Sequence, residues 1–171
     1  DDLWEALSES LVNDVQAVQA QKGTEVKIKE FMDRYTKQMG YPVVMVSRRG
    51  TNVVAHQQQF LLQQNAGPVV QSEFENKWHI PLTYVTDENP ALDNGVLWMK
   101  EQSLKFEVPS DTKWMKMNVN FTGYYRVHYD ENNWKSLTQQ LKDNHMVFSV
   151  ADRAELLDDS FALARSGLMS A

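Results

Sequence analysis

The chain has no cysteine, so it can build neither a disulfide framework nor a thiolate metal site, although this leaves its compartment open. No apolar run comes near the roughly 18 residues that a membrane-spanning helix needs. The opening DDLWEALSES lacks the basic-then-apolar pattern of a leader peptide, and the chain is expected to be soluble. A basic surplus is missing too. The 17 Lys and Arg residues stand against 23 Asp and Glu, for a net charge of −6. The basic residues are scattered singly, which excludes a phosphate-binding face and with it nucleic acid as a partner.

The devices of catalysis are also absent. A zinc protease of the H-E-x-x-H type needs two histidines one helical turn apart so that both imidazoles reach the metal. Here the histidines are His56, His79, His128 and His145; none precedes a glutamate and none has another at i+4. Asp158 and Asp159 are adjacent, but successive helix positions point about 100° apart, so they do not form a facing acid/base pair. There is no G-x-S-x-G, no glycine loop to cradle phosphate and no nucleophile with an evident base. The expectation is therefore no catalytic residue, no metal ligand and no cofactor within this segment.

What is present is a globular composition, 42% hydrophobic and 11% aromatic, in three unlike regions. Residues 1–40 have helical spacing. Leu3, Leu7, Leu11, Val15 and Val18 mark one helix; after Gly23 and a possible cap at Thr24, Phe31, Met32, Tyr35 and Met39 mark another, stopped by Gly40 and Pro42. Residues 41–130 change to strand spacing, with two β-rich runs across a turn at residues 49–52 and about five more short strands. This predicts a seven-strand antiparallel β-sandwich. The glutamines at 57–59, 63 and 64 read as a solvated strand face. Residues 131–171 return to helix, with Trp134, Leu137 and Leu141 on one side and a Ser149/Asp152 cap opening the last helix. The fold class is thus α+β, a helical segment before and after a sandwich. Such short helical ends suggest an excerpt from a larger multidomain chain.

MDRYTKQMGYPVVMV from Met32, QQQFLLQ from Gln57, WHIPLTYVT from Trp78, WMKMNVNFTGYYRVHYDENNWKSLTQQL from Trp114 and ADRAELLDDSFALARSG from Ala151 resemble, in that order, consecutive segments of the zinc-dependent gluzincin aminopeptidases. The membrane alanyl aminopeptidase branch is the nearest likeness. The resemblance implies a parent enzyme of four domains: an N-terminal β domain, a thermolysin-like zinc domain, a small β-sandwich and a C-terminal helical bowl. Residues 1–40 would then be the last helices of the catalytic domain, 41–130 the sandwich and 131–171 the start of the bowl. The zinc motif, its distal glutamate, the G-A-M-E-N motif and the transition-state tyrosine would all lie upstream of Asp1. Tyr35 departs from the family, which usually has Trp there. The parent is expected to hold zinc, to act on peptides, to be an extracellular ectodomain and to be capable of forming a homodimer. The neighbouring catalytic and helical domains would be this segment's partners.

Three residues are candidate sites. Asn120 opens NFT, the only N-x-S/T sequon, and joined to that resemblance it suggests a glycan at a strand edge. In GYYRVHYD, Tyr125, Val127 and Tyr129 fall on one strand face and Tyr124, Arg126 and His128 on the other. The first set is the better core face. From the second, Tyr124 and Arg126 are expected to grip a neighbouring domain, with Arg126 pairing to acids among Asp152, Glu155, Asp158 and Asp159. In functional terms the chain reads as a non-catalytic middle segment of a peptide-trimming exopeptidase. The alternatives are a freestanding sandwich that binds carbohydrate or protein, and a segment of a homologue without its zinc ligands.

Overall fold

The computed structural model describes residues 2–13, 27–63, 72–90 and 95–170. Among them the order is α1 (Asp2–Asn13), α2 (Ile28–Thr36), β1 (Pro42–Arg49), β2 (Asn52–Gln59), β3 (Ile80–Leu82), β4 (Tyr84–Thr86), β5 (Leu97–Met99), β6 (Ser103–Glu107), β7 (Met115–Met117), β8 (Arg126–Tyr129), α3 (Glu131–Asn144) and α4 (Val150–Ser166). Short 3-10 turns occupy Val119–Phe121 and His145–Val147. The fold is α+β. Val15, Val18, Gly23, Thr24 and Gln64 lie outside the described residues.

Eight strands stand among the described residues, in a four-stranded sheet of order β6-β2-β1-β8 and two two-stranded sheets, β3-β5 and β4-β7. β1 and β2 form a tight antiparallel hairpin whose two-residue turn holds Gly50 at φ 61°, a left-handed conformation that glycine adopts without steric cost. One pairing departs from the antiparallel expectation. β8 runs parallel to β1, with Val44 opposite Val127, because the chain returns to β1 only after the long excursion through β3–β7, the kind of crossover that parallel pairing requires.

Val44 and Val46 of β1, Val53 and Ala55 of β2, and Val127 and Tyr129 of β8 share one buried cluster with Trp78, Ile80, Leu82, Val85, Met99, Met115 and Met117 from the region of the smaller sheets. Gln57 belongs to this inner face by strand parity and is completely buried. That corrects its reading as solvated. Its amide donates to the carbonyls of Trp78 and Glu101 at 2.9 Å each and accepts from Trp78 N–H at 2.8 Å, so the polar group is not left unpaired. The opposite face of β1 is covered as well: Val43 packs with Phe60, Ala162 and Leu163.

Local chemistry places the helices. α2 ends at Thr36, earlier than the Gly40 stop predicted for it, and Met39 lies beyond it with 76% of its surface exposed. Asp130 caps α3 by accepting from Asn133 N–H at 3.0 Å, while its other oxygen accepts from Arg48 N–H at 2.9 Å, which pins the helix start to β1. Leu137 is buried beneath α3, with Trp134 and Leu141 partly buried beside it. Ser149 caps α4, accepting from Asp152 N–H at 3.1 Å, and Gly167 closes it at φ 75°. The buried side of α4 is unusual. It presents Asp152, Glu155 and Asp159 beside Leu156, Ala162 and Leu163, whereas Val150, Leu157 and Phe161 point outward.

Candidate functional site

The acids on the buried side of α4 meet two cations projecting from the β7–β8 segment. Lys116, at the centre of β7, is fully buried. Its Nζ donates to Asp152 Oδ1, to Glu155 Oε2 and, at 2.7 Å, to the Asn118 carbonyl. Spacings of three and four residues put Asp152, Glu155 and Asp159 along one helix face, so one strand lysine reaches two of them at once. Asp152 also accepts from the Asn120 N–H at 2.7 Å and the Ser149 hydroxyl at 2.8 Å.

Arg126, the first residue of β8, makes the second junction. Its Nη1 donates to Asp158 at 2.6 Å and to Asp159 at 2.8 Å, and its Nε donates to the Tyr41 hydroxyl at 3.1 Å. The guanidinium lies over the rings of Tyr41 and Phe60, 5.8 and 5.2 Å from their centroids, so it is gripped by aromatic faces as well as by acids. Asp159 is buried and accepts from the Val127 backbone N–H at 2.8 Å through its second oxygen, whereas Asp158 is exposed. Of the four acids considered for Arg126, the structure brings Asp158 and Asp159 to it and gives Asp152 and Glu155 to Lys116.

The electrostatics follow from burial. One ammonium cannot neutralise two buried carboxylates, so a proton is retained on the more enclosed of them. Burial pushes the Glu155 carboxyl up to about 8 against the pull of Lys116. Asp152 is less enclosed; although burial opposes ionisation, its bonds with Lys116, Ser149 and Asn120 hold it below the usual carboxylate range. Asp159 is raised to about 6 by burial, which outweighs Val127 N–H and Arg126. This is a charged interlock between strand and helix. Its charged members are engaged with one another.

Tyr124 precedes β8 and is 68% exposed. Its ring leans on Tyr41 and Tyr35, with centroids 5.2 and 6.2 Å away, so it faces α2 and the start of β1 rather than α4. Asn120 is exposed and sits in the 3-10 turn after β7, with φ 57°, not on a strand edge as sequence suggests. Lys116 had no sequence signal beyond its alternation with Met115 and Met117. Both sides of β7 are in fact buried: Met115 and Met117 enter the main core, and α4 brings Asp152 and Glu155 against Lys116.

His128 Nδ1 accepts from Trp134 Nε1–H at 3.1 Å, His56 Nδ1 is bonded to the Ser103 hydroxyl at 2.9 Å, and among the described residues no three His, Asp or Glu side chains converge as metal ligands.

Residues 114–171 match the family model described as the ERAP1-like C-terminal domain. That span contains every charged member of the interlock. Over 98% of its length the chain is 37% identical to the thyrotropin-releasing hormone-degrading ectoenzyme of Homo sapiens. Over 99% it is 36% identical both to aminopeptidase N of Rattus norvegicus and to aminopeptidase Ey of Gallus gallus. It spans only 16% to 17% of the length of these relatives.

Proposed function

This chain belongs to the zinc-dependent gluzincin aminopeptidase family, and on that premise we propose that it is a non-catalytic middle segment of an enzyme that removes N-terminal amino acids from peptides. Zinc and the reacting groups belong to other parts of that enzyme. Residues 1–40 close the catalytic domain, residues 41–130 form a β-sandwich and residues 131–171 begin a helical domain. The whole is an extracellular ectodomain, and Asn120 carries a glycan.

The segment's task is mechanical: it spaces and orients the helical domain over the active site. The observation that carries this reading is the interlock, in which Lys116 and Arg126 of the strand region hold four acids of α4. A helix that turns its acids inward and Val150, Leu157 and Phe161 outward suits a position between a strand layer and further helices. Tyr124, leaning on Tyr35, grips the opposite neighbour through α2.

Arg126→Ala in the complete enzyme tests the role. Long peptides need the helical domain to move and admit them, whereas a single-residue reporter does not. The expected outcome is a greater fall in kcat/KM for a long peptide than for the reporter. Equal falls on both substrates would remove the mechanical role while leaving family membership intact.

A further inference from the structure

We propose that the cleft between α2 and residues 122–124 is the seat of the first sugars of a glycan attached to Asn120. The inference rests on the ectodomain reading above. It adds a binding site and its ligand: pyranose rings held by their C–H faces.

The attachment point is rigid. Asn120 lies in a turn where Asn118, Asn120 and Phe121 all have positive φ, between 56° and 57°. The turn is fastened by Asn118 N–H to the Thr83 carbonyl at 2.9 Å, Val119 N–H to the Thr83 hydroxyl at 2.9 Å, Asn120 N–H to Asp152 at 2.7 Å and Gly123 N–H to the Asn118 side chain at 2.7 Å. The backbone that carries a sugar on Asn120 is therefore held in place, and only the torsions of the asparagine side chain direct where the sugar starts.

The cleft begins two residues away. Thr122, the third residue of the sequon, lines it with Gly123 and Tyr124; Phe31, Met32 and Tyr35 of α2 line it too, together with Pro81. Two residues span at most about 7 Å, within reach of the first two sugars. The volume is about 350 Å³, at the small end of the range of roughly 300–1,000 Å³ for ligand clefts. It suits one or two pyranose rings.

The lining offers faces rather than hydrogen bonds. Thr122 spends its hydroxyl on the Val119 carbonyl at 3.0 Å and Tyr35 directs its own to the His79 carbonyl at 3.4 Å. Tyr124 is mostly exposed, yet fixed between Tyr35 and Tyr41. A free sugar would gain little from such a surface, since it needs polar partners for affinity. A tethered one is different, because a short linker raises its effective concentration to about the millimolar range and weak stacking then suffices. Its hydroxyls face water while its C–H face covers the apolar patch.

The test uses the full-length protein secreted from a eukaryotic host. Glycopeptide mass spectrometry first reads occupancy of Asn120, and an unmodified Asn120 overturns both the glycan reading and this inference. With Asn120 occupied, the rate at which peptide N-glycosidase releases its glycan is measured on native protein. Stacking as strong as an aromatic pair predicts release about three- to tenfold faster from Tyr124→Ala than from the parent, with Tyr124→Phe unchanged. In parallel, nitration of Tyr124 should rise in Asn120→Gln. Equal release rates in all three proteins and unchanged nitration place the sugars in solvent and overturn the inference alone. A dimer that dissociates on Tyr124→Ala would instead assign the cleft to a second copy.

Discussion

Glu155→Gln should stabilise the protein near neutral pH, although it alters a partner of a buried lysine. The carboxyl is 2% exposed, and burial raises it from the ordinary 4.5 to about 8. Between those two values the folded chain keeps a proton that the unfolded chain has released. The stability from this group is therefore fully present below the unfolded pKa and is lost as pH rises toward the folded one. From about pH 5.5 to about pH 8 the loss comes to about 3 kcal/mol, since each unit of that interval is worth about 1.36 kcal/mol until the folded group itself begins to ionise. Glutamine has nearly the same shape, still offers Lys116 a carbonyl oxygen and has no proton to lose; Asp152 remains as the lysine's counter-charge. Asp159, raised to about 6, adds a fall in the same direction over the lower part of the interval, but equally in both proteins. Urea unfolding at the two pH values should thus show the parent losing about 3 kcal/mol more than the variant. A variant less stable than the parent at about pH 8, with the same dependence on pH, would refute a proton held on Glu155.

Lys116→Met should cost about 3–5 kcal/mol by leaving the Asp152 carboxylate without its cation, a loss that denaturant titration would measure and that Asp152→Asn added to it should partly restore. Gly123→Ala should cost about 1–3 kcal/mol by overpacking, because a Cβ there would stand 2.2 Å from the buried ring of Tyr125 and 3.0 Å from the Asn118 side-chain oxygen; a thermal midpoint equal to the parent's would count against that close approach.

Much of the fold was written in local order. Strand parity alone sets Tyr125, Val127 and Tyr129 on one face, and all three are buried. The hairpin turn at residues 49–52, the stripe of Trp134, Leu137 and Leu141, and the Ser149 cap likewise need only neighbours within a few residues, where backbone geometry is the same in any surroundings. Parity also places Gln57 with Val53 and Ala55, so its burial was legible once side-chain type was set aside. Tertiary structure decided what covers each face. Lys116 alternates with two methionines as an exposed residue would, yet it lies buried because α4, 36 to 39 residues later, brings Asp152 and Glu155 to it. The same packing gave Arg126 to Asp158 and Asp159, turned Tyr124 toward α2 and set β8 parallel to β1. Periodicity specifies which side chains share a side, but a charge can be buried only where a distant partner arrives to meet it, and that depends on how the whole chain closes.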